Sequence, residues 1–260
     1  MNQLLENQLR KIEEKEARSC QTKKKEENPL QKKIAEKIPE GLEEKLEKAF
    51  TVGFKIVFKK GDAVIEKTYD KEKRQQDYDI RDFTLERRKN KKALWNLNLE
   101  SDRRKWGNLG LTALEGSALG LFGIGLPDIP VFIGMLLKSV YEAAMSYGFD
   151  YKSEEERYYI LKVMEAALLS GKERKEKLKE ADETAGKLAK NIVLDSSLDE
   201  QIQKTAKALA EEMLYMKVLQ GIPIAGILGG IANVKCMNKI AETARLKYQK
   251  RYLLKKIQPE

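Results

Sequence analysis

No histidine occurs among the 260 residues of this chain. That absence excludes Ser-His-Asp and Cys-His nucleophilic catalysis, histidine-ligated zinc and an imidazole proton shuttle. Cysteine is nearly as scarce. Cys20 and Cys236 have no spacing suited to a metal site or a disulfide framework, and read as free thiols of a reducing compartment. The chain starts Met-Asn-Gln-Leu-Leu-Glu without the apolar core of a secretory signal, so a cytoplasmic protein is expected. No segment shows convincing apolar-polar alternation, which argues against strands. Proline is also rare, six residues in all, and Pro127, Pro130 and Pro223 fall within the two most apolar stretches.

What remains is charge. Lysine and arginine number 50 against 41 acids, a net +9, and charged residues make up 35% of the chain. The signs are interspersed, as on solvated helix faces, while the positive excess favours an anionic partner. Nucleic acid is disfavoured, because there is no zinc spacing, no RNP-like segment and no clear recognition helix.

Against this background Gly116–Leu137 carries one charged residue, Asp128. Its length would suit a membrane span, but Pro127 and Pro130 each remove a backbone donor and disfavour helix in the residue before them. Two half-helices meeting at a bend are expected. A second apolar bend is read at Gly221-Ile222-Pro223, followed by Gly229-Gly230 and Asn233. Asp128 is expected to cap the helix starting at Pro130, and Asn233 to be a core polar residue or a ligand contact.

Elsewhere the periodicity is helical. Leu42, Leu46, Phe50, Gly53, Phe54 and Val57 fall on one face, and Tyr159, Val163, Ala166 and Ala167 on another. Ile202, Ala206, Leu209, Ala210 and Met213 define a third. Ser153–Glu156 and Ser197–Glu200 have the capping-box spacing. Between Asp70 and Trp106 the pattern loosens, and Tyr78, Ile80, Phe83, Leu85, Leu94 and Trp95 are expected to dock the segment. The C-terminal helix places Lys247, Arg251 and Lys255 at i, i+4, i+8, with Lys250 beside them and Tyr248 and Tyr252 as a neighbouring line. Such a face can lie on an anionic leaflet or in plain solvent.

The expected fold is all-α, a helical bundle built on two Gly/Pro-broken apolar hairpins. Residues 1–38 are expected as a charged amphipathic extension and 39–257 as one domain. The hairpins form the core, wrapped by the helices near 39–60 and 154–169.

Gly125-Leu-Pro-Asp-Ile-Pro130, the continuation through Lys138, Tyr141, Glu142 and Tyr147-Gly-Phe149, then Gly221-Ile-Pro223, Gly229-Gly230 and Asn233 resemble the bacterial EcsC family. The resemblance runs from about Leu42 to Leu253. It implies a membrane-connected role beside an ABC transporter linked to secretion, and supplies no catalytic residue. The resulting expectation is a non-enzymatic accessory or binding protein, cytoplasmic and peripherally membrane-associated, without cofactor or metal. Its partner would be an anionic membrane surface or a membrane protein. Leu126, Pro127, Asp128, Ile129, Pro130, Gly221, Ile222, Pro223 and Asn233 would form its membrane or ligand contacts, and Lys247, Lys250, Arg251 and Lys255 its basic surface. The alternative is a carboxylate-dependent hydrolase near the membrane, using Asp128 or Asp150 with Glu142.

Overall fold

The structure, a computed structural model, describes residues 2–21, 38–61, 65–66, 70–98, 128–194, 196–220 and 231–258. Among these residues every regular element is a helix. They are α1 (Asn2–Gln21), α2 (Leu42–Ile56), α3 (Lys71–Arg88), α4 (Asp128–Ser146), α5 (Glu154–Leu168), α6 (Gly171–Ala189), α7 (Leu198–Gln220) and α8 (Ile231–Ile257). A π turn, Val57–Gly61, extends α2, and a further helical stretch covers 91–98. The protein is all-α, as expected.

Local chemistry sets several boundaries. Asp70 caps α3 by accepting from Lys73 N at 2.9 Å, and Asn90 caps 91–98 by accepting from Ala93 N at 2.9 Å. Ser153 and Ser197 each accept from the backbone N–H three residues on, the serine half of each expected capping box, while Glu156 accepts from Tyr248 and Arg251 and Glu200 accepts from Ser196. The end of α4 is a Schellman turn: Gly148 N–H reaches Met145 O at 3.1 Å and Phe149 N–H reaches Ala144 O at 3.0 Å. Gly148 holds φ at +77°, and a Cβ there would lie 2.3 Å from the Tyr78 ring. Gly148→Ala therefore combines left-handed backbone cost with overpacking, and should lower stability by about 2–4 kcal/mol. Chemical denaturation checks this, and a loss under 1 kcal/mol would show that the Tyr78 packing is not fixed.

Both proline bends expected at the centre of the core, with Leu126, Pro127, Gly221, Ile222 and Pro223, lie outside the described residues. α4 takes in Asp128, Ile129 and Pro130, so Asp128 is already helical, two residues before the start expected at Pro130. Of Asp128 and Asn233 the structure describes only the backbone. Ile129 is buried, and Gly53 on α2 lets the two helices close to a distance at which a Cβ would meet Ile133 and Ile129 below 3 Å. Among the described residues one helix, Ile129–Ser146, is long and apolar enough to cross a membrane, and 67% of it is buried inside the protein.

The inner helices are α5 and α8. α5 packs against α6, α7 and α8, and α8 against α1, α4, α5 and α7. From Tyr158 to Leu168 every residue of α5 is buried. The helix expected to wrap the core is its middle. The N-terminal helix α1 packs on α6 and α8 and buries Leu5, Ile12 and Glu16.

Candidate functional site: a charged seam along the C-terminal helix

α8 is rich in cations, and as a central helix it must neutralise them inside the protein. It does so at successive levels, each with acids or carbonyls from other helices.

At the first level Arg174 of α6 crosses to α8. Its Nη1 donates to Ala166 O and Ala167 O at 2.8 and 2.9 Å, its Nη2 to Thr243 Oγ1 at 3.0 Å, and its Nε to Ser19 Oγ at 3.0 Å. The two carbonyls belong to the last turn of α5, where helix ends leave acceptors free and the dipole favours a cation. Burial lowers the pKa of Arg174, and nearby Cys20, Glu16 and Glu242 partly offset that. An arginine stays charged regardless.

The second level is a two-by-two cluster. The Lys247 side chain is fully buried, with Nζ donating to Asp182 Oδ1 at 2.8 Å and Leu178 O at 2.9 Å and paired with Glu16 Oε1 at 2.9 Å. Lys250 meets the other oxygens, Asp182 Oδ2 at 2.8 Å and Glu16 Oε2 at 3.5 Å, with Glu13 at 3.8 Å. Burial penalises the Lys250 ammonium, but Glu16 and Asp182 outweigh it and its pKa is raised. This cluster ties α1 and α6 to α8.

At the third level Arg251 Nη1 donates to Glu156 Oε1 at 2.6 Å, and Tyr248 Oη donates to the same oxygen at 2.7 Å. The guanidinium lies 4.2 Å from the Phe149 ring centroid and 4.3 Å from that of Tyr159, the geometry of a double cation–π contact. Burial drives the pKa of the Tyr159 and Tyr248 phenols upward, so both stay protonated. The fourth level joins α8 to α3. Tyr252 Oη donates to Asp82 Oδ1 at 2.5 Å, and Lys256 pairs with Asp82 Oδ2 at 2.9 Å and with Glu86.

The expected basic surface is therefore corrected at three of its four members. Lys247 is enclosed, and the side chains of Lys250 and Arg251 are 13% and 11% exposed. Lys255 alone of the four is exposed.

Two of the acids considered for hydrolysis are engaged as well. Glu142 pairs with Arg74 Nη2 at 2.9 Å, and Asp150 with Lys71 Nζ at 3.4 Å, both cations standing on α3. α3 packs against α4 and so brings Arg74 to Glu142. Burial beside Glu212 pushes the Cys236 thiol up to about 12, which leaves it inert as a nucleophile near neutral pH. Among the described residues no group of His, Cys, Asp and Glu could hold a metal ion. Chemically, the seam fastens helices together through neutralised pairs.

Sequence reasoning missed the acids of the seam, Glu16, Asp82, Glu156 and Asp182. A weak signal was present in α6, where Arg174, Leu178, Ala181 and Ala185 share one helical face, placing a cation among apolar positions.

Comparison with known proteins adds the following. The EcsC protein family matches residues 3–253, including the N-terminal segment that the resemblance had left out. The Bacillus subtilis (strain 168) protein named "Uncharacterized protein YdbA" is 27% identical over 150 residues, 55% of this chain and 53% of that protein. "Protein EcsC" of the same organism is 29% identical over 148 residues, 55% of this chain and 58% of that protein. The chain thus spans little more than half the length of the curated relatives it matches. No solved structure matches.

Proposed function

The chain belongs to the EcsC protein family, and from that premise we propose that it is a non-enzymatic accessory protein that binds at the cytoplasmic surface of a bacterial membrane. Its partner would be the anionic bilayer itself or a membrane protein, with an ABC transporter the candidate that the family resemblance suggests. The observation that carries the non-enzymatic part is the state of Glu142 and Asp150. Glu142 is held in a nearly enclosed pair with Arg74 of α3, which a hydrolase using it would first have to break, while Asp150 meets Lys71 in an exposed pair at the surface. The peripheral part is supported by α4. Inserting its span into lipid would expose the core residues it now buries, including Ile133, Leu136, Leu137 and Val140.

Fractionation of cells expressing the full chain tests this reading. The protein should sediment with membranes and be released by high salt or alkaline carbonate. A chain found wholly in the soluble fraction, or one that resists carbonate, would refute it. The hydrolase alternative returns only if purified protein turns over an ester or phosphoester and Glu142→Gln abolishes that turnover with its melting temperature unchanged.

A further inference from the structure

The segment 80–95 carries an unusual outer surface. On α3, Leu85 is buried, and the opposite face presents Ile80, Phe83 and Arg87. Two residues later the stretch 91–98 buries Ala93, Leu94 and Leu97 and presents Lys91, Lys92 and Trp95 outward. Only Lys89 and Asn90 separate the two helices, and both bury their inner faces in the core, so the corner they make at this turn carries both outer faces. Ile80, Phe83 and Trp95 were expected to dock the segment inward, yet they are 65%, 60% and 58% exposed. Among them stand five exposed cations, Arg87, Arg88, Lys89, Lys91 and Lys92. The two acids of the segment, Asp82 and Glu86, both pair with Lys256 of α8.

Single exposed apolar residues are ordinary, but large ones clustered within a basic rim mark a contact surface. We infer that this corner docks on an anionic lipid bilayer, the cations meeting headgroups while Ile80, Phe83 and Trp95 enter the interface. The inference rests on the membrane reading proposed above, and moves its contact from the C-terminal helix to α3 and 91–98. Charge and apolar area here fit a bilayer better than a nucleic acid. Ile80 has no π face for a base to stack on, and the Phe83 ring already holds the Arg87 guanidinium at 5.9 Å. Tryptophan at a water–lipid boundary is favoured by its apolar ring and its polar N–H.

The test uses the full chain and sedimentation with vesicles of equal parts phosphatidylglycerol and phosphatidylcholine, against pure phosphatidylcholine. Wild type should bind the first far better. R88Q/K91Q/K92Q should reduce that binding roughly a hundredfold at low salt, and less at high salt. F83S and W95S should each reduce it about tenfold or more at every salt concentration, since that contribution is apolar area. All these positions are exposed, so melting temperatures should stay at the wild-type value. In a W106F background, Trp95 emission should move to the blue on anionic vesicles and be quenched by brominated acyl chains. If wild type binds neither vesicle, the membrane reading falls and this inference with it. If wild type binds but the variants bind equally well, the corner is overturned while the membrane reading stands. If the charge variants lose binding to a single-stranded oligonucleotide and keep binding to vesicles, the occupant is nucleic acid and the inference is overturned.

Discussion

Lys247→Ala is expected to destabilise the protein by about 3–5 kcal/mol, while Lys255→Ala, eight residues on, should change it by under about 0.5 kcal/mol. The difference follows from position alone. Lys255 is exposed, whereas the Lys247 side chain is fully buried and holds Glu16 and Asp182 at 2.9 and 2.8 Å. Removing it leaves two carboxylates with only Lys250 to share between them, and an uncompensated buried charge costs more than the pair ever contributed. Lys247→Met with Asp182→Asn should accordingly be less destabilised than Lys247→Met alone. Denaturant titration of the variants decides the matter, and additive losses would show that the cluster is not coupled.

The same cluster has a pH signature. The folded-state pKa of Lys250 is raised above its ordinary 10.5, burial being outweighed by Glu16 and Asp182. A group of this kind contributes its full stability below its unfolded pKa and loses it as pH rises through the folded value. Lys256 is shifted in the same direction, where burial is outweighed by Glu86 and Asp82. The seam should therefore weaken on the alkaline side, above the ordinary lysine range.

How much of this could be read from the sequence depended on whether the deciding contacts were local. The buried faces of α2 and α7 were legible because apolar residues at i, i+3 and i+4 have one sensible orientation. α5 was legible as a helix, but its central position was not, since periodicity marks one buried face and cannot count how many neighbours surround a helix. α8 was misread for a related reason. Cations at i, i+4, i+8 look the same on a solvated face and on an inner helix whose acids arrive from afar. Lys250 and Glu16 are 234 residues apart, and Arg251 and Glu156 are 95. The outward turn of Ile80, Phe83 and Trp95 was hidden by the same ambiguity, since α3 also carries Tyr78 and Leu85 and only packing reveals which side the core takes. The bends expected at Pro127 and Pro223 rest on proline chemistry alone, and they lie outside the described residues.

Arg251 provides the most specific test of the seam. Arg251→Met should cost about 3–5 kcal/mol, because it strands Glu156 in a site where that side chain is 10% exposed. Glu156→Gln should cost less, as an amide oxygen can still accept from Tyr248 and from the guanidinium. The double variant should then be more stable than Arg251→Met alone, since no buried carboxylate is left unpaired. Arg251→Lys is not a conservative change here. An ammonium cannot lie flat between the rings of Phe149 and Tyr159 while reaching Glu156, so it forfeits stacking worth about 0.5–2 kcal/mol per ring. It should fall between wild type and Arg251→Met. Near-ultraviolet circular dichroism of Tyr159 and Tyr248 offers an independent readout, because both rings are fixed by the guanidinium and its carboxylate. A lysine variant as stable as wild type would show that charge alone matters at this level, and that the aromatic walls are ordinary packing.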